Sequence, residues 1–342
     1  MLRPPTRSPL LAVCALAALA TAAAGCGGSG SGGADANRQP APPSPQVAAA
    51  GHPRAADFPA PAGRTLQQLA DTLAPGPQAA PATSVYTPGT NRLAFGLLDA
   101  QGRFLYGPSA VYVARSPRAP AGGPFLAPAD SLQVRPPFRS QTSANDPADV
   151  KAVYAAQVPL PRAGRWYVLV VTRAAGGAGG KPLGASTTIE VAHSSPIPAV
   201  GQAPPRIDTP TLASAGGNVK AIDTRVPPDD MHKVSLRAVL GRKPVALLFA
   251  TPALCQSRVC GPVVDVAAQL ETVFGSRVAF IHNEVYIDNN ASKGLRPQLK
   301  AFHLQTEPWL FAIDRRGRIV ARLEGAFGID EMRAAIERAQ RG

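Results

Sequence analysis

Beyond residue 200 the apolar positions of this chain switch repeatedly between two spacings, and that alternation restricts what the C-terminal third can fold into. Residues 245–249, Val-Ala-Leu-Leu-Phe, form an unbroken apolar run of strand length. Val263, Val266, Leu270 and Val273 then fall at helical spacing, and Gly275 supplies the stop. Residues 277–281 read as a second buried strand and 295–302 as a second helix. Residues 309–313 and 319–323 read as a hairpin turning at Arg315, Arg316 and Gly317, and 329–339 as a final helix. Strand, helix, strand, helix, strand, strand, helix is the pattern of an α/β domain.

Residues 85–191 carry a different signature. Short β-rich runs at 92–98, 110–114, 151–158, 165–172 and 186–191 are separated by turn residues, as in an antiparallel sandwich. Asp99, Ala100, Gln101 and Gly102 turn the first run back onto 103–106. The stretch resembles an immunoglobulin-like β-sandwich whose late strand follows a Pro-x-x-Gly-x-Trp corner, here Pro161 to Trp166. It offers no internal cysteine, histidine cluster or paired carboxylates, so a spacer or binding module is expected.

The 37 prolines and 32 glycines are too many for continuous packed structure, and they crowd toward the front of the chain. Residues 37–82, rich in Pro, Ala and Gln, are expected to be disordered because they offer too little apolar surface to offset the entropy of ordering. Leu66, Leu69, Ala70 and Leu73 form one island of helical spacing suited to docking on the next domain. The expected organisation is a signal peptide at 1–25, a Gly/Ser and Pro/Ala linker at 26–82, the sandwich at 83–193, a linker at 194–199 and the α/β domain at 200–342.

At the N-terminus Arg3 and Arg7 precede an apolar run over residues 10–20 and a small-residue stretch, the form of a secretory signal. Ala23-Ala24-Gly25-Cys26 resembles the lipobox of bacterial lipoproteins, which implies acylation of Cys26 and an extracytoplasmic, membrane-anchored protein. The Gly/Ser tract after Cys26 suits a flexible tether. The formal charge of +13 comes from scattered arginines without a basic run or aromatic interleaving, so no nucleic-acid partner is expected. The membrane, through the lipid, is.

With Cys14 in the signal and Cys26 acylated, Cys255 and Cys260 remain as a pair in an oxidising compartment. Phe249 to Cys255 close the first core strand, Cys260-Gly261-Pro262 open the following helix, and Thr306-Glu307-Pro308-Trp309 precede the hairpin. On these segments residues 200–340 resemble the thioredoxin and peroxiredoxin superfamily, and the residues before the first core strand resemble the leading strands of its membrane-anchored members. The resemblance implies a thioredoxin fold, a cis peptide before Pro308, and Trp309 and Thr306 lining a substrate groove. It implies chemistry on a protein disulfide, a thiol or a peroxide, with no cofactor. The family's Cys-x-x-Cys is replaced here by Cys-x-x-x-x-Cys. Thr251-Pro252-Ala253-Leu254-Cys255 resembles the Thr-Pro-x-Cys of one peroxiredoxin class with one residue too many.

Residues five apart on a continuous helix stand about 140° apart, too far around for a disulfide, and Pro262 belongs in a first turn. The helix is therefore expected to begin near Cys260 with Cys255 in the loop before it, Cys255 as nucleophile and Cys260 as the resolving thiol. Arg258 between them would help a thiolate, whereas Glu307 would oppose one. His282 reads as a structural histidine, with a base or metal ligand beside the thiols as the alternative. His232, in Pro227-Pro228-Asp229-Asp230-Met231-His232, reads as a loop residue in an acidic setting that also suits a metal. The leading expectation is a thiol-disulfide oxidoreductase or peroxiredoxin-like reductase. Two others compete: an envelope binding module with a structural disulfide, and a copper chaperone using Cys255, Cys260 and His282.

Overall fold

Val245 to Phe249 face apolar neighbours on both sides, and this sets the architecture of the C-terminal region. The structure, a computed structural model, describes residues 40–174 and 180–342. The expected signal segment and Cys26 lie outside the described residues. Among the described residues thirteen strands form three sheets. In the C-terminal sheet β10 (Val245–Phe249) is central, parallel to β11 (Ala279–Asn283) and antiparallel to β12 (Trp309–Ile313), which pairs with β13 (Ile319–Glu324). One face, carrying Ala246, Leu248, Leu310 and Ala312, is covered by α1 (Cys260–Phe274) and α3 (Ile329–Arg341). The other, carrying Val245, Leu247, Phe249, Phe311 and Ile313, is covered by Leu299 of α2 (Pro297–Ala301), Phe302 and the segment around Leu236. A strand buried on both faces needs apolar residues at every position, and so it reads as a continuous run. The predicted strand and helix order is present, with α2 shorter than expected.

The leading strands expected before β10 do not form. Residues 200–244 are turns, a 3₁₀ turn at Val219–Ala221 and a short helix at Leu236–Val239. No sheet edge draws them in, because Ile197, Leu236 and Leu240 are instead buried on the face opposite α1.

Upstream, β1 (Ala74–Pro75), β9 (Leu183–Val191), β8 (Gly164–Thr172), β4 (Ser109–Ala114) and β5 (Gly122–Leu126) form one sheet in that order. The other runs β2 (Gln78–Pro81), β3 (Gly89–Leu98), β7 (Ala152–Leu160), β6 (Ala129–Ser131). Phe95, Tyr154, Val111 and Val168 from the two sheets share one core. All five β-rich runs read from the sequence are strands.

The expectation of a disordered linker is corrected for residues 40–82. Tyr112, Ala114, Leu169 and Val171 give β4 and β8 a second apolar face, and Phe58, Leu66 and Leu69 bury it. Burying each such side chain contributes about 1.5–3 kcal/mol, which offsets the ordering of a Pro-rich segment. The next residues then enter both sheets as β1 and β2.

The sandwich and the C-terminal sheet are joined by buried polar contacts. Asp130 of β6 accepts from the backbone N–H groups of Gly328, Asp330 and Glu331, capping α3 from outside its own sequence. Arg92 of β3 pairs with Glu331 at 2.6 Å and donates to the carbonyls of Glu324 and Ala326. Glu324 accepts from the Ser84 and Val85 N–H groups. Gly325, at φ +72°, passes so close to the Ala82 carbonyl that a side chain has no room. No helix among the described residues is long and apolar enough to cross a membrane.

Candidate redox site

The chain leaves β10 through Ala250 and turns through a loop before α1 begins at Cys260. The helix start and the loop position of Cys255 are as expected, with Pro262 in the first turn. The loop is pinned from below: Ala253 N–H donates to Thr224 Oγ1, and the Thr224 hydroxyl and N–H both donate to the buried Glu284. Arg258 takes a left-handed backbone at φ +59°. Its guanidinium turns away to Asp146 at 3.3 Å, so the expected help from Arg258 is not there.

Cys255 is half-buried and Cys260 fully buried. Their sulfurs and a Glu307 carboxylate oxygen lie within 4.8 Å of one another. The two thiols are driven in opposite directions. A hydrogen bond from Cys260 outweighs desolvation and, with the Ser257 hydroxyl at 3.2 Å, lowers Cys255 to about 6. Burial, and then the hydrogen bond to Cys255 and its charge, push Cys260 well above its ordinary value. Burial and the Cys255 charge raise Glu307 to about 7. Near neutral pH much of Glu307 is therefore protonated, and the like-charge objection to a Cys255 thiolate weakens. Tyr286 is raised by burial and then by Glu307 and the two thiols, which places it at the same cluster.

Pro308 is buried beside this group and its peptide with Glu307 is cis. Thr306 lines a cavity of about 260 Å³ next to the site, with Glu307, Ser257 and Val259 on one wall and Ala82, Phe104, Val150 and Val153 of the sandwich on the other. Trp309 does not line it. The ring is 1% exposed, stacks on Phe311 and donates Nε1–H to Thr306 Oγ1, so the groove role is corrected to a core role. The Thr251 side chain is buried with no hydrogen-bond partner for its hydroxyl, leaving that hydroxyl without a contact to Cys255.

His282 is not with the thiols. Its Nδ1 lies 2.8 Å from Asp229 Oδ2 and its Nε2 3.2 Å from the Ala250 carbonyl, so the set Cys255, Cys260 and His282 is not brought together. The thiols gather Glu307 instead, a two-sulfur, one-oxygen donor set. His232 lies in a turn, as expected of a loop residue, and its side chain is buried.

No family model matches the chain, and no curated protein matches it. Among solved structures, a thiol:disulfide interchange protein, thioredoxin family protein, from Chlorobium tepidum TLS aligns at 15% identity and a TM-score of 0.28, covering 44% of this chain and 99% of that one.

Sequence reasoning missed the positive part played by Glu307 and passed over Ser257, Tyr286 and Glu284. Glu307 was legible as a neighbour of the thiols, but its protonation depends on its burial in the fold and on the Cys255 charge. Ser257 sits two positions beyond Cys255 and was the one of these that local spacing alone could have flagged.

Proposed function

We propose that the protein is a thiol-disulfide oxidoreductase with a thioredoxin-like domain, tethered outside the cytoplasm through acylated Cys26. The observation that carries the redox reading is the placement of two thiols within 4.8 Å, Cys255 half-buried in the loop and Cys260 fully buried at the helix start, which drives Cys255 down to about 6 and Cys260 up. A structural pair needs no such asymmetry.

In the first step the Cys255 thiolate attacks one sulfur of a substrate disulfide, and the other leaves as a thiolate that takes a proton from Glu307. In the second, Cys260 gives its proton to Glu307 and attacks the Cys255 sulfur of the mixed disulfide. The substrate departs with both sulfurs reduced, and Cys255 and Cys260 end as a disulfide holding the oxidation. The reverse sequence oxidises a dithiol. Peroxide is less well served, because neither the Thr251 hydroxyl nor the Arg258 guanidinium reaches Cys255.

A thiolate stabilised in the reduced form makes a disulfide oxidising. The test is the reduction potential of the Cys255–Cys260 couple, measured against glutathione. A value above about −250 mV is expected, and one below about −300 mV would mark a structural bond and the binding-module reading. The anchor has its own test. Cys26→Ala is expected to release the protein from the membrane fraction, and unchanged detergent partitioning of that variant refutes acylation.

A further inference from the structure

A second cluster of titratable groups lies under the loop, and the redox chemistry does not use it. Asp223, Asp229, His232 and His282 each present a ligand atom, all within 4.8 Å of one another. Their side chains are at most 3% exposed. His282 Nδ1 lies 2.8 Å from Asp229 Oδ2 and 4.0 Å from Asp223 Oδ1. His232 Nε2 lies 3.5 Å from Asp223 Oδ2 and 3.6 Å from Asp229 Oδ1. Four donors around a tetrahedral ion at 2.0–2.1 Å stand about 3.3 Å apart, which these separations bracket.

Two observations on the imidazoles point to a ligand. Neither ring nitrogen of His232 has a hydrogen-bond partner, although both are buried. Leaving a buried polar atom unpaired costs about 1–3 kcal/mol, and here Nε2 is directed between two carboxylates. His282 faces two acceptors. Without an ion both nitrogens donate, Nε2–H to the Ala250 carbonyl and Nδ1–H to Asp229, and a metal ion would take the place of the Nδ1 hydrogen. An imidazole held at one nitrogen by a carbonyl, with the other nitrogen aimed at carboxylates, is oriented as metal-binding histidines are.

The carboxylates are themselves held by backbone. Asp223 accepts from the N–H groups of Arg225 and Asp229, and Asp229 accepts from that of Met231. The arginine of this loop does not neutralise them, because the Arg225 guanidinium bonds Asp265 and the carbonyls of Pro227 and Phe138.

We propose that Asp223, Asp229, His232 and His282 bind one divalent transition-metal ion, and that the two-imidazole, two-carboxylate set at near-tetrahedral spacing selects Zn²⁺. The ion joins the segment after Ile222 to the end of β11. It thereby braces Thr224, which carries the loop below Cys255.

The test uses the full chain with its four cysteines replaced by serine, so that thiols take up no metal. The protein is stripped with a chelator and dialysed against zinc sulfate, and bound metal is counted by mass spectrometry. About one Zn²⁺ per chain is expected, with a higher melting temperature on its return. His232→Gln and Asp229→Asn in the same background are expected to weaken zinc binding tenfold or more. Cobalt substitution should give the strong visible bands of a tetrahedral site. No stoichiometric zinc in the folded parent overturns the proposal, as does zinc retained at full affinity in His232→Gln. Should both variants fail to fold, the parent decides: a melting temperature unmoved by chelator and zinc overturns the site.

Discussion

Removing the Cys260 thiol tests the hydrogen bond that is the largest cause of the Cys255 shift. With Cys255 at about 6, half of it is thiolate at pH 6, against about 0.1% for a thiol at the ordinary value of 9.0. That is about 500-fold more nucleophile. Lower basicity also lowers intrinsic reactivity, with a Brønsted slope near 0.45, so three units cost about 20-fold. The net expectation is alkylation by iodoacetamide about 20-fold faster than that of an unperturbed cysteine peptide at pH 6. Cys260→Ala should raise the Cys255 value by about a unit or more and remove most of that advantage. Peptide-resolved mass spectrometry across pH 5 to 9 reads Cys255 separately from the other cysteines.

The same shift sets a stability profile. A folded value below the unfolded one gives Cys255 a stabilising contribution to the reduced protein that is full by pH 9 and lost as pH falls through about 6, while the raised Cys260 opposes it above pH 9. Partial exposure screens it, leaving on the order of 2–4 kcal/mol between those limits. A Cys255 that titrates near 9 in the reduced protein, or one that Cys260→Ala leaves unmoved, would refute the reasoning.

Three further outcomes follow from the geometry. Gly325→Ala, which places a methyl into the Ala82 carbonyl at a positive φ, should destabilise by about 3 kcal/mol or more in urea unfolding. Arg92→Ala leaves Glu331 unpaired and two carbonyls without their donor, and a loss of about 3 kcal/mol is expected in the same assay. Glu307→Gln should slow disulfide turnover about 100-fold above pH 7 by removing the base for Cys260, while Cys255 alkylation stays as fast or rises.

The C-terminal region was legible because its strands and helices are long enough for period to show. Residues 245–249 and 309–313 match observed strands end to end. The start of α1 followed from one proline and the reach of a disulfide. What failed depended on partners distant in sequence. Residues 40–82 looked unable to fold because the face that buries Leu66 and Leu69 belongs to β4 and β8. Trp309 was assigned to the groove from its place beside Pro308, but alternation along β12 turns it into the core with Phe311. The gathering of His232 with His282 joins a loop to a strand end, and no local spacing encodes it.

The final helix has no capping side chain of its own, since Gly328 stands at its start and Asp130, 198 residues earlier, receives the N–H groups. During synthesis the helix emerges after the sandwich, which β9 completes, so its cap is already in place when it folds. The sandwich therefore acts as a template for this helix. A C-terminal fragment starting near residue 200 would retain the thiols yet lack the cap of α3 and the partners of Glu324 and Asp265.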